Sequence, residues 1–142
     1  MKLALIPYGQ VSQLIPSLLP FLEESQAWAR GRANVDDMVR FILTGQMMLW
    51  AFFDEEKVYG HMITEVYPYP RMQMLVVQYL ASEVGTMAEA EDLTHETLAR
   101  FAKDAGCAGI EFVGRPGWGK TAKAHGYEVQ SVKYQKFFEV PG

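Results

Sequence analysis

Apolar and polar positions change their period several times along this chain, and the changes mark its elements. Residues 2–7 (KLALIP) predict a short first strand, ended by Pro7 and Gly9. From Val11 onward, Val11, Leu14, Ile15, Leu18, Leu19 and Leu22 recur at helical spacings of three and four. Pro16 and Pro20 fall inside that pattern, and each removes a backbone donor, so two joined helical pieces or a kink are expected before a close at Gly31. Asn34 opens a second helix with Asp37 three positions on; Met38, Phe41 and Ile42 share a face, and Gly45 is its stop. Residues 47–53 (MMLWAFF) and 58–67 predict a hairpin around the DEEK turn. The prolines of Tyr67-Pro68-Tyr69-Pro70 cannot donate ladder bonds, so a break falls there before a third strand over 71–80.

Residues 71–113 then read as strand, long helix and strand. Thr86 is expected as the N-cap, with Glu89 reaching back to complete a capping box. Met87, Ala90, Leu93, Leu98, Phe101, Ala102 and Ala105 give the helix one buried face, and Gly106 suits a left-handed C-cap. A strand over 108–113 follows, making a parallel pair at the centre of a sheet. Beyond it come a glycine-rich loop, a short helix over Thr121–His125, and an alternating stretch from Tyr127 to Phe138 that predicts a last strand. The fold class is α/β, an α+β sandwich: a mixed sheet with an antiparallel meander and one central βαβ unit. No linker or repeat interrupts it, so one domain over residues 1–142 is expected.

Charge and composition narrow the chemistry. A net charge of −4 without a basic run disfavours nucleic acid. The apolar stretches are broken too often for a membrane span, and the first ten residues lack the pattern of a signal peptide. Cys107 is alone, so no internal disulfide forms, and the three scattered histidines define no metal site. On the strand over 58–67, His61, Ile63 and Glu65 point to one face, where an imidazole and a carboxylate can flank an amine as general bases, or merely form a solvated strand face. The segment Gly114–Thr121, GRPGWGKT, satisfies phosphate-loop spacing literally. Pro116 removes one cradle amide, Trp118 is bulky and no long helix follows, so the loop is instead assigned contacts to a ligand or partner through Arg115, Trp118 and Lys120.

The element order, with Ala102-Lys-Asp-Ala-Gly-Cys-Ala-Gly-Ile-Glu-Phe112 and Lys123-Ala-His-Gly-Tyr-Glu128, resembles the GNAT superfamily of N-acetyltransferases. The blocks GRPGWGK at 114–120 and TEVYPYPR at 64–71 look similar to those of short GNAT-like proteins of tailed phages and prophages, some of which are virion components. The likeness implies direct acetyl transfer from acetyl-CoA to an amine, with the cofactor between splayed parallel strands and its pyrophosphate on a helix N-terminus. Carried onto this chain, it places the cofactor along Leu80 and Ala81 and on the backbone of Gly85, Thr86 and Met87.

Two departures from the family pattern bear on that implication. Met87, Ala88 and Glu89 stand where the family has a basic residue and spaced glycines, and Glu89, Glu91 and Asp92 bring negative charge to an anion site. Ala122 stands where many members carry a general-acid tyrosine. The leading expectation is therefore a non-catalytic or degenerate GNAT-fold protein that binds other proteins, such as components of a phage particle, or a second copy through its last strand. The alternative is an active N-acyltransferase using acetyl-CoA, and a third option is a sensor of a small ligand. The expected location is the cytoplasm of a bacterial host or a virion.

Overall fold

A computed structural model describes residues 1–83, 85–114 and 119–138. The described residues divide into two compact units, Met1–Phe112 and Val113–Gly142. In the first, strand β1 (Lys2–Leu5) and a single 3-10 turn (Tyr8–Gln10) lead to helices α1 (Val11–Ala29) and α2 (Val35–Leu43). Strands β2 (Met48–Phe53), β3 (Val58–Pro68) and β4 (Gln73–Ser82) form the meander, and helix α3 (Thr86–Asp104) joins β4 to β5 (Gly109–Phe112). The sheet order is β1-β2-β3-β4-β5. The first four strands are antiparallel, and β4 and β5 are parallel.

The period-2 alternation of the strands sorts their side chains into two cores. Leu49 and Ile63 pack with Val11, Leu18 and Leu22 of α1 and with Met38 and Ile42 of α2. Trp50, Phe52, Met62 and Leu75 face the other way, onto Ala90, Leu98 and Ala102 of α3. The molecule's first unit is thus a mixed sheet with two helices on one face and one on the other. The second core is pinned by Trp50, whose Nε1 donates to the buried Thr64 Oγ1 at 2.9 Å and whose ring meets Phe101 edge-on at 5.2 Å. Among the described residues, no helix is long and apolar enough to cross a membrane.

Local signals explain most of the boundaries. Asn34 and Asp37 form the reciprocal capping box of α2: Asp37 N–H donates to Asn34 Oδ1 at 2.9 Å, and Asn34 N–H to Asp37 Oδ2 at 3.1 Å. Gly106, at φ 78°, ends α3 in the paired bonds of a Schellman turn, Cys107 N–H to Ala102 O and Gly106 N–H to Lys103 O.

Four expectations are corrected. Helix α1 runs as one element through Pro16 and Pro20 rather than as two joined pieces; both prolines are exposed and four residues apart, on the side of the helix away from the core. Gly85, not Thr86, is the N-cap of α3. The stretch after Tyr127 forms no strand through residue 137 and is mostly exposed; alternation sorts side chains onto two faces but does not by itself supply the ladder bonds of a strand. The β4–β5 pair consequently lies at the end of the described sheet rather than at its centre.

The second unit holds helix α4 (Gly119–Ala124), ended by another left-handed glycine, Gly126 at φ 86°. Gly126 N–H donates to Lys123 O, and Tyr127 N–H to Ala122 O.

Candidate functional site

The site begins where β4 and β5 part. Their parallel pairing covers only Met74–Val77 against Gly109–Phe112, yet β4 continues to Ser82. From Gln78 onward, β4 therefore presents backbone on the side that β5 has left. At the same level the β3–β4 register slips: Ile63 faces Tyr79 and Thr64 faces Val77, so Gln78 is an extra, bulged residue. A bulge frees one residue from the ladder and turns side chains locally. Gln78 is the one exposed residue in the middle of β4, and its Nε2 donates to Glu65 Oε1 at 3.0 Å.

The chain then turns directly into α3. Gly85 takes φ 86°, a conformation that a side chain resists, and starts the helix without any side chain to offer its amides. The Thr86 hydroxyl donates backward to the Glu83 carbonyl, as does the Thr86 amide at 3.1 Å, so the threonine tightens the turn instead of capping the helix. No cap side chain occupies the amides of the first turn. Unpaired amides and the positive end of the helix dipole make this terminus a suitable seat for an anion. Glu89 lies in the first turn and opposes an anion, but it is exposed and so screened by water and salt.

The predicted bases separate in space. His61 is wholly buried beneath α1, with Nε2 2.8 Å from Ser25 Oγ and Nδ1 buried without a hydrogen-bond partner. Burial pulls its pKa down to about 4, weakly opposed by the Phe21 backbone. At neutral pH it is an uncharged core residue and does not reach a substrate. Glu65 is half-buried and takes amide donors on both oxygens, from Gln78 and from Gln46 Nε2 at 3.4 Å.

Tyr79, missed from the sequence, stands beside this group. Its pKa is raised by burial first and then by the negative charges of Asp37 and Glu65, so it keeps its proton. Ala122, at the position where the family resemblance places a general-acid tyrosine, is a residue of α4 whose carbonyl accepts from His125 N–H and Tyr127 N–H at the helix end. A polar Gln78 interrupting an apolar strand was the available signal for the bulge and its neighbours. Leu80 and Ala81 lie on the open part of β4, and Thr86 and Met87 in the first turn of α3. Lys120 is exposed on α4, whereas Arg115 and Trp118 lie outside the described residues. Cys107 is half-buried against the core under α3.

No protein-family profile matches the chain, and no curated protein sequence does. Solved structures do match over nearly the full length. An aminoglycoside acetyltransferase from an uncultured soil metagenomic sample, solved with sisomicin, superposes with a TM-score of 0.71 at 11% identity, covering 97% of this chain and 96% of that one. The chain has a GNAT-type acetyltransferase fold. A ribosomal-protein-alanine N-acetyltransferase from Brucella melitensis biovar Abortus 2308 gives a TM-score of 0.67 at 14% identity, covering 97% of this chain and all of that one. A protein described as a probable acetyltransferase gives 0.69 at 8% identity over 98% and 99% of the two chains. The GNAT fold is therefore shared at identities too low to carry a substrate across, and the narrower likeness to phage proteins is not shown.

Proposed function

We propose that this GNAT-fold chain binds acetyl-CoA at the β4–β5 fork and transfers its acetyl group to an amine. The carrying observation is the N-terminus of α3, which opens on Gly85 without a capping side chain at the end of the strand edge that β5 leaves free. The acids that argued against cofactor binding in the sequence are not caps in the structure, and Glu89 points its charge into solvent-exposed surroundings.

The Thr86 amide is already given to Glu83, so the backbone amides of Gly85 and Met87, with the unpaired edge at Leu80 and Ala81, fit a pyrophosphate and an extended pantetheine arm, which bonds to backbone as a strand does. Acetyl-CoA supplies an acetyl group activated as a thioester. Glu65, held by Gln46 and Gln78, takes the proton that an attacking amine must lose. Tyr79, kept protonated beside it, is the donor available for the departing sulfur. His61 has no part in this step beyond supporting β3 under α1.

The test is thiol release from acetyl-CoA in the presence of a panel of primary amines, followed for the native chain and for Glu65→Gln. Amine-dependent thiol release that falls about 10²–10⁴-fold in the variant supports the reading. Release that is absent with every amine, or unchanged in Glu65→Gln, overturns it.

A further inference from the structure

We infer that the acceptor is an α,ω-diamine, with one amine at Glu65 and the far ammonium held by Glu111; the inference rests on the acetyl-transfer reading of Glu65. Register across three strands carries it. Glu65 faces Val76 between β3 and β4, and Val76 faces Glu111 between β4 and β5. Partners in register point to the same side of a sheet, so the two carboxylates share a face with one apolar side chain between them. Two strand spacings put their backbones about 10 Å apart. Two contacts agree with that face. The Tyr69 hydroxyl donates to Glu111 Oε1 at 2.5 Å, and Tyr69 follows Glu65 and Tyr67 in period 2, its ring centroid 4.8 Å from that of Tyr67. Met74, in register with Gly109, holds its Cε 3.1 Å from where a Gly109 Cβ would lie.

Helices α1 and α2 cover this face further along, at Ile63 and Tyr79, whereas Val76 packs in neither core and Tyr67 and Tyr69 are 45% and 42% exposed. Both carboxylates are held by neutral donors, Glu65 by Gln46 and Gln78 and Glu111 by Tyr69. Among the described residues neither enters an ion pair. Two fixed negative charges with an apolar strip between them match a dication with a methylene spacer, whereas a monoamine satisfies Glu65 alone. The Met1–Phe112 unit, with 15 acidic and 8 basic residues, adds a field that draws cations toward it. Acetylation turns the ammonium at Glu65 into a neutral amide, so the product no longer pairs with both carboxylates and transfer stops after one acetyl group.

The test sets hexamethylenediamine against hexylamine, which match in length and differ in the far charge, with thiol release from acetyl-CoA as the readout. In the native chain the diamine should show a KM about five- to tenfold below that of hexylamine. Ethylenediamine, too short to span the two carboxylates, should behave as a monoamine. Glu111→Gln should raise KM for hexamethylenediamine to the hexylamine value and leave kcat, and both constants for hexylamine, unchanged; the hexylamine rate then also reports an intact fold. Equal KM values for the two long amines in the native chain overturn the diamine assignment and leave the acetyl-transfer reading standing. So does a Glu111→Gln variant that loses both amines equally. Thiol release that is absent with every amine overturns the transfer reading and this inference together.

Discussion

His61 makes an acid-sensitive core of what the sequence offers as a catalytic strand face. In the folded chain its imidazole is buried against Ser25 with a pKa near 4; in the unfolded chain it returns to about 6.5. The folded value is the depressed one, so above pH 6.5 both states are neutral and the residue contributes no pH dependence. As pH falls from 6.5 toward 4, only the unfolded chain takes up the proton, and folding weakens by about 1.4 kcal/mol per unit. The loss reaches about 2 kcal/mol by pH 5 and about 3 kcal/mol by pH 4, a large part of a total stability of about 5–15 kcal/mol. Carboxylates also titrate in this window, so the assay must isolate the histidine. Urea unfolding of the native chain and of His61→Gln, measured in parallel from pH 7.5 to 4, does so by difference. The glutamine keeps a polar partner for Ser25 and cannot titrate. Any advantage of the native chain should shrink by about 2 kcal/mol between pH 7.5 and pH 5. Parallel stability curves would show that the imidazole is hydrated or already charged in the folded state, and would refute the buried-neutral assignment.

Three further outcomes follow from particular contacts. Glu89→Gln removes the first-turn charge beside the uncapped amides and should tighten acetyl-CoA binding about two- to fivefold, corresponding to about 0.3–1 kcal/mol at a helix terminus; titration calorimetry measures it, and an unchanged affinity would mean that the anion sits elsewhere. Gly60→Ala places a Cβ 2.4 Å from the Ala81 carbonyl oxygen and 2.7 Å from Ser82 Cα, both backbone atoms of the paired strand. It should cost at least about 1–3 kcal/mol, read from the unfolding midpoint, with a neutral result contradicting the close β3–β4 approach. Asn34→Ala breaks the capping box of α2 and should cost about 1 kcal/mol in urea unfolding, whereas a loss below a few tenths would show that Asp37 alone holds that turn.

The legible parts of the fold were those fixed by neighbours in sequence. Asn34 with Asp37, Gly106 after α3, and the DEEK and YPYP breaks each specify a local conformation through side-chain geometry or a missing donor, and the structure keeps them. The α3 start was misread because Thr86 and Glu89 satisfy the capping-box spacing. A glycine one position earlier can take the left-handed turn that moves the cap, and spacing cannot weigh φ. The two prolines of α1 depend on which side of the helix faces water, a tertiary fact. The last strand failed for the converse reason: alternation states which side chains share a face, not whether any strand is there to pair with.

The candidate site divides the same way. Strand period names Glu65 together with His61, and the family resemblance names Leu80, Ala81, Gly85, Thr86 and Met87. His61 shares its face with Glu65, but α1 covers one and leaves the other accessible, which no strand pattern contains. Gln78 and Tyr79 entered only through the register slip between β3 and β4. The family resemblance supplied the idea of an anion on the α3 terminus, and its own missing motif residues supplied the doubt. In the structure α3 opens on Gly85 without a capping side chain, so neither Thr86 nor Glu89 caps it as their spacing suggests.

Calorimetric titration of the native chain with acetyl-CoA, paired with its thermal unfolding at saturating cofactor, tests the central claim most directly. One saturable site per chain is expected and, at about 100 times the dissociation constant, stabilisation of about 2.7 kcal/mol. No heat of binding and no shift in unfolding at millimolar acetyl-CoA would contradict it.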